Sequence, residues 1–546
     1  MNPIFNEKRI LVCIAILCTL TIAAQPKHGT GANFNPETLA KTPQKVQLSF
    51  RSFRAMPAAY SLEQFCPTPA DQGNHGTCVA FANAYAVATI LYAKTHNITD
   101  KDIINKYAFS ATYLYEQIKD EDDNDCQNGS DPIFALITMK KGGDALQRTV
   151  PYQCNTTLTD NAKTEAENYK IKDAAVLFAA AGMMEGDKYI LPKDEMIDVT
   201  KKALSEGSPI STGWQIPESF FYVKGEVWDT NDKDELSDWK HNGHAMAVVG
   251  YDDNKYGGAF RIMNSWGSGW ADGGFVWVRY NDFARWCVEA FQVFADPLTP
   301  VPPEVKKDEP EPTPQPNPDP KPEPNPEPNP EPKPAPVENK FTLSGDIEFK
   351  LNTGEDMNVS KTSTRNLQVD DDKPVAKEDL VAYTMSDSYA SGTKFRFYMN
   401  IDHEAYVYAF ATDLTGKVNL ILPYDDMIST HVGPNSSIAF PSDTKIIKLD
   451  ENKGTDYLLI LYSAEKLDAK QIAADMNDMD GALSTKIKTA LGDKLMDKSI
   501  IKYATDKVGF SVNGTATRNL TVDDDNDNTT YSGGTVVPLM VEIKHN

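Results

Sequence analysis

The sequence predicts an α+β fold in two halves, then a proline-rich spacer, then a second, mainly β module. Three observations carry this. Between about 54 and 296, helical periodicity comes first and strand-like runs come later. From Pro310 to Pro336 every second residue is proline, which cannot pack a core and favours extended polyproline II. From about 339 onward, short alternating or apolar runs dominate.

Taken in order, Lys8 and Arg9 precede an apolar run from Ile10 to Ala24 that ends in small residues. This is the pattern of a secretory signal, cleaved near Ala24 to leave Gln25 first, and it is short for a membrane span of about 20 residues. No second long apolar segment follows, so no membrane span is expected in the mature chain. Residues 25–53 form an N-terminal extension. In the domain at 54–296, Val79–Lys94, Ser110–Lys119 and Ile133–Lys141 read as helices. Pro209–Trp214, His244–Tyr251, Ala259–Asn264 and Gly274–Tyr280 read as strands. Within the linker, 297–338, the proline run 310–336 would span about 80 Å at roughly 3.1 Å per residue and hold two independently folded modules apart. The module at 339–546 offers strands at Lys394–Ile401, Glu404–Thr412, Lys417–Leu422, Tyr457–Tyr462 and Val536–Ile543, with one helix between Asp468 and Leu495. It also carries a repeat, Thr364–Asp372 and Thr517–Asp525, each ending in three aspartates. Adjacent carboxylates suit Ca²⁺, but the glycine and glutamate of a full Ca²⁺ loop are missing, and a solvated acidic turn is the plainer reading.

The formal net charge of −24 disfavours nucleic acid or anionic lipid as partners. Of seven cysteines, Cys13 and Cys18 lie in the leader, and Cys66, Cys78, Cys126, Cys154 and Cys287 remain. An odd number in an exported chain suggests pairs plus one free, reactive thiol. Cys78 is the expected free one. Cys126 with Cys154 and Cys66 with Cys287 is the expected pairing, although spacing alone does not fix it.

Chemistry concentrates in three segments. Asp71-Gln72-Gly73-Asn74-His75-Gly76-Thr77-Cys78 leads into an Ala-rich helix. Cys78 at its start feels the positive end of the helix dipole, and a neighbouring imidazolium would lower its pKa further, giving a resident thiolate. Gly243-His244-Ala245 opens an apolar strand, with His244 as the proton-transfer base and acid. His241 and His75 are rivals. Residues an odd number apart on a strand face opposite sides, and His244 is favoured because it leads directly into the strand. Asn264-Ser265-Trp266-Gly267 supplies Asn264 to orient the imidazole and Trp266 to shield that bond. Gln72 would offer its side-chain N–H to an oxyanion beside the Cys78 backbone N–H.

These three segments resemble the papain-like cysteine peptidases, in which Gln-Gly-x-x-Gly-x-Cys, a His-Ala strand and Asn-Ser-Trp-Gly follow in that order. The resemblance covers about 54–296 and points to secreted bacterial members. It implies a two-lobed domain, one lobe helical and one β-barrel-like, with Cys78 as nucleophile, His244 as base, Asn264 as orienter and Gln72 in the oxyanion hole. Cys126-Gln127-Asn128-Gly129-Ser130 resembles the family loop that holds substrate backbone, making Gly129 and Ser130, with Trp266, substrate-binding candidates. His75 and Val79 stand where the family commonly has cysteine and tryptophan. Only about 30 residues separate leader and domain, too few for a long helical inhibitory propeptide. The expectation is a secreted endopeptidase acting on protein or peptide through a thioester, without metal or organic cofactor. Its β-rich C-terminal module has cell envelope, glycan or protein as candidate contacts. Rival readings are a non-catalytic surface-binding protein that keeps the fold, and a thiol-dependent amidase or transglutaminase-type acyl transferase, which would more commonly orient its histidine with aspartate.

Overall fold

The computed structural model describes residues 28–54, 56–179, 190–230, 234, 243–305, 337–363, 380–412, 416–518 and 529–546. The leader, the proline run, His241 and the aspartates of both repeat copies lie outside the described residues. Among the described residues, no helix is long and apolar enough to cross a membrane.

The first half of the N-terminal module is built on one buried helical run, Cys78–Ala80, Phe81–Ala88 and Thr89–Thr95. Its middle is π-helical. Asn83 Nδ2 donates to the Val79 carbonyl at 2.9 Å and Thr89 Oγ1 to that of Ala84 at 3.3 Å, side-chain bonds that accompany the wider turn. Small residues let its neighbours approach closely. Helices Ala111–Ile118 and Pro132–Gly142 pack on one side and strand Gly243–Asp252 on the other. Both neighbouring helices start as the sequence dictates. Ser110 and Asp131 accept N-cap bonds, and Pro132 takes the first helical position, where a missing N–H costs nothing.

The second half is a sheet. From one end the strands run Ile428–Ser429, Gln44–Lys45, Ile171–Ala179, Cys287–Ala295, Ile210–Gln215, Gly243–Asp252, Ala259–Met263 and Phe275–Arg279, with Ala59–Ser61 also on Gly243–Asp252. The sheet has two ends, so the barrel-like lobe is open among the described residues. All four strands expected at 209–280 are present within two residues, and the expected helices likewise.

The C-terminal module is a sandwich of two sheets, one centred on Gly454–Ser463 and Val536–His545, the other on Lys394–Ile401, Val337–Leu351 and Val508–Arg518. Leu343, Phe397, Val407, Ile460 and Val541 share the core between them. Two helices, Ala469–Asn477 and Leu483–Leu491, cover the outer face where one helix was expected. Gly481, in the turn between them, has φ +104°, a conformation that L side chains resist.

The modules are not held apart. Gln44–Lys45 is a parallel strand between Ile171–Ala179 of the first module and Ile428–Ser429 of the second. Beside it Glu206 receives Lys45 Nζ at 3.0 Å, Lys202 Nζ at 3.2 Å, Gln292 Nε2 at 2.6 Å and Ser436 Oγ at 2.9 Å. Burial alone would raise the Glu206 carboxyl, but the two ammonium groups outweigh it and hold it below its ordinary range. Nearby, His431 lies between the rings of Phe294 and Tyr406, at 3.7 and 4.1 Å, and donates to Glu404 at 3.0 Å.

The cysteines fall partly as expected. Cys126 and Cys154 form a disulfide. Cys66 and Cys287 do not pair; both are buried free thiols, as is Cys78. Each donates to a carbonyl of its own segment, Cys66 to Leu62 and Cys287 to Glu289. One belongs to the turn before the long helix, the other opens a strand facing Trp214.

Glu206→Ala leaves two buried ammonium groups without their carboxylate. Removing one member of a buried ionic group costs about 3–5 kcal/mol; the expected result is a clear fall in the urea midpoint of the full chain, with Glu206→Gln losing less.

Candidate active site

The loop before the long helix is fixed by its own residues. Asp71 Oδ1 accepts the Gly73 N–H at 2.8 Å, and Gly73 has φ +64°, a turn that aspartate and glycine favour. The loop is riveted to the Asn264 segment. Gln72 N–H donates to the Ser265 carbonyl at 2.9 Å, and Ser265 Oγ donates to Gln72 Oε1 at 2.5 Å. Gln72 is fully buried, and its Nε2 donates to the His75 carbonyl at 2.7 Å. His75 turns to Tyr152, whose hydroxyl is 3.0 Å from its Nδ1 and donates to the Gln72 carbonyl at 2.8 Å. The rival His75 therefore braces the loop.

His244 begins its strand opposite Trp214. Its Nε2 is 2.8 Å from Asn264 Oδ1, which also accepts the Ser265 N–H at 2.8 Å. Two donors on one atom identify it as the amide oxygen, so Nε2 carries the proton. In a neutral imidazole Nδ1 is then the nitrogen with the lone pair. It is buried without a hydrogen-bond partner. Trp266 stacks on the His244 ring at 4.8 Å and, at 4.7 Å, on His28. Cys78 Sγ lies within reach of the backbone N–H groups of Ala245 and Gly31 and of the helix start. Thus Cys78, His244, Asn264, Gln72 and Trp266 converge where helix and sheet meet.

The groove between the halves is filled by the chain's own residues 28–34. Gly29 N–H donates to Gly73 O at 2.9 Å; Gly31 and Ala32 N–H donate to Gly243 O at 2.9 and 3.0 Å; Trp266 Nε1 donates to Gly29 O at 3.2 Å. On the other wall Ser130 N–H donates to Gly31 O at 2.8 Å, and Asn33 N–H to Ser130 O at 2.9 Å. Gly129 and Ser130 therefore do hold an extended backbone, that of this strap. A Cβ on Gly31 would collide with the Gly76 backbone, and one on Gly129, at φ +76°, with Gly31. Only glycine fits either place. Phe34 lies over Gly213 and Gly243, beside Glu289. Glu289 is fully buried with Oε1 unpartnered, and burial, then Asp131, raises its carboxyl well above its ordinary range.

The strap changes the electrostatics expected from sequence. Cys78 and His244 have no exposed surface. Burial pushes the Cys78 thiol up to about 12, against the neighbouring backbone N–H groups that pull it down. Burial also pulls His244 down to about 4, against its bond to Asn264. Under the strap the two are a neutral thiol and a neutral imidazole in place of the expected ion pair. Sequence reading did not find the strap, Tyr152, Phe34 or Glu289. The alternation Gly29-Thr30-Gly31 was the available signal for a close backbone approach.

The family model described as papain family cysteine protease matches residues 62–295, and one described as a domain of unknown function (DUF4384) matches 388–466. Among relatives, cysteine proteinase 3 of Entamoeba histolytica is 24% identical over 225 residues, covering 41% of this chain and 62% of that protein. Vignain of Phaseolus vulgaris is 28% identical over 214 residues, covering 39% and 50%. The chain thus spans 62% and 50% of the length of these two relatives. Among solved structures, xylellain, a cysteine protease from Xylella fastidiosa, matches with 19% identity and a TM-score of 0.39, covering 49% of this chain and 96% of that one.

The strapped state is most favoured while Cys78 and His244 are both neutral. His244, depressed from 6.5 to about 4, contributes stability that is fully present above about pH 6.5 and is lost as pH falls toward 4. His28, also lowered, chiefly by burial, acts in the same sense. Cys78, raised, contributes stability that is lost as pH climbs above about 9. Amide hydrogen exchange at Gly29, Gly31 and Ala32, corrected for its intrinsic pH dependence, should therefore be slowest between about pH 6.5 and 9 and accelerate at pH 5.

Proposed function

We propose that the chain, whose residues 62–295 match the papain family cysteine protease model, is a cysteine endopeptidase working outside the cytoplasm. The bond from His244 Nε2 to Asn264 Oδ1, with Nδ1 left unpartnered, carries the reading. It fixes the tautomer that can take a proton from Cys78. The leader pattern of Ile10–Ala24 and the Cys126–Cys154 disulfide support export.

Once residues 28–34 leave the groove, water and substrate enter and the proton passes from Cys78 Sγ to His244 Nδ1. The thiolate attacks the substrate carbonyl carbon, and the C=O π pair moves onto oxygen. The Cys78 backbone N–H and the second N–H of the Gln72 amide, whose first is held by the His75 carbonyl, stabilise that oxyanion. The imidazolium gives its proton to the departing amine nitrogen, the C–N bond breaks, and a thioester remains. His244 then takes a proton from water as its oxygen adds to the thioester. Collapse releases the carboxylic acid and restores the thiol. The pocket now holding Phe34, between Gly213, Gly243 and Glu289, accepts a substrate side chain.

Hydrolysis of a fluorogenic peptide library by the full chain, after incubation at pH 5, tests this. Cys78→Ala should abolish cleavage and labelling by an epoxide peptide mimic. Gln72→Ala should lower kcat by about 10²–10³, and Asn264→Ala by about 10² through loss of ring orientation. Undiminished cleavage by Cys78→Ala would overturn the assignment.

A further inference from the structure

The strap does not end at the groove. Helix Pro36–Ala40, capped by Asn35, carries the chain to strand Gln44–Lys45. From there the C-terminal module provides most of the grip. Gln44 and Lys45 register with Ile428 and Ser429, and Val46 and Leu48 enter the core of the sandwich. Asp443 accepts Ser49 Oγ at 2.9 Å and the Phe50 N–H at 2.7 Å. Arg51 pairs with Glu348 at 2.9 Å and lies 3.5 Å over the Tyr398 ring. Ser52 Oγ donates to the Ser437 carbonyl at 3.1 Å and accepts the Ser437 N–H at 2.8 Å. The first module contributes Val176, bridged to Gln44, with Glu206 and Gln292 on Lys45.

The geometry points to the β sandwich as an intramolecular clamp: by gripping residues 44–52 it keeps residues 28–34 seated over Cys78, so that loosening this grip activates the peptidase. The inference rests on the reading of Cys78 as the nucleophile. A seven-residue strap is a weak ligand on its own, and its occupancy depends on the tether that presents it. With the clamp in place, about 9 residues connect strap and anchor. With the sandwich's grip released and the short hold of Gln44–Lys45 on Val176, Glu206 and Gln292 given up with it, the next attachment is strand Ala59–Ser61 on Gly250–Asp252, and the tether lengthens to about 24 residues. Loop closure scaling as the 3/2 power of length weakens the strap about fourfold.

The test uses the full chain with Arg51→Ala and Asp443→Ala combined, neither of them in the reacting site. Iodoacetamide alkylation is followed by mass at Cys78, separately from the buried Cys66 and Cys287. Hydrogen exchange is followed at Gly31 and Ala32. In parallel, Gly31→Val expels the strap directly. We expect alkylation and exchange to rise about fourfold in the double variant and more in Gly31→Val. A rise in Gly31→Val alone overturns the clamp and leaves the peptidase reading intact. A rise in neither shows that the strap does not gate the thiol, and also overturns it. Fast alkylation in both without peptide cleavage upholds the clamp and sinks the peptidase reading. If the double variant loses its cooperative unfolding transition, the milder Asp443→Asn is read by the same two measurements.

Discussion

Exclusion of water from the groove between helix and sheet is the constraint on which the rest of the molecule depends. It is imposed by backbone, through a ladder from residues 28–34 to Gly73, Gly243 and Ser130. Its consequence is electrostatic. Raising the Cys78 thiol from 9.0 to about 12 corresponds to about 4 kcal/mol against the thiolate, at 1.36 kcal/mol per pKa unit. A helix N-terminus returns typically 0.3–1 kcal/mol and at most about 2. Burial wins, and Cys78 stays a thiol. Lowering His244 to about 4 adds a penalty of about 3 kcal/mol against the imidazolium. The two residues proposed to form an ion pair in an open groove are a pair of neutral groups in this closed one. The strap therefore acts twice, by filling the groove and by holding Cys78 and His244 uncharged.

Much of the first module was legible in the sequence. The Ala-rich run after Cys78 became one buried helix, because small residues at every turn left it nothing to present to water. His244 and Asn264 come together because each sits at the end of a strand of one sheet, next to each other in its order. The strap was not legible, since seven residues with two glycines in a polar stretch read as an extension. Its pairing is with Gly73, Gly243 and Ser130, scattered over 170 residues, and local periodicity does not encode such a contact. The Cys66–Cys287 pairing failed for a related reason. Counting thiols assumes that each seeks a partner, whereas a buried thiol can also stand as a small apolar group with a local carbonyl. The aspartate repeats fall outside the described residues, apart from Thr517 and Arg518, which end strand Val508–Arg518.

The spacer invited a different error. Alternating proline predicts separation, and separation predicts independence. The structure places the determinant elsewhere, in residues 41–54. Strand Ile171–Ala179 and strand Ile428–Ser429 would each present an unpaired edge on the sides that Gln44–Lys45 covers. One two-residue strand satisfies both, parallel to each, and Lys45 brings its charge into the cluster around Glu206, where Lys202 and Ser436 complete the set from either module.

This arrangement makes the N-terminal segment reciprocal in its dependence. The two modules share a sheet only while Gln44–Lys45 lies between them, and the strap keeps its short tether only while both modules hold that strand. A chain joined through residues 306–336 alone would have the covalent link without the shared sheet. The strap, the junction strand and the grip of the sandwich on Ser49, Arg51 and Ser52 therefore behave as a single unit.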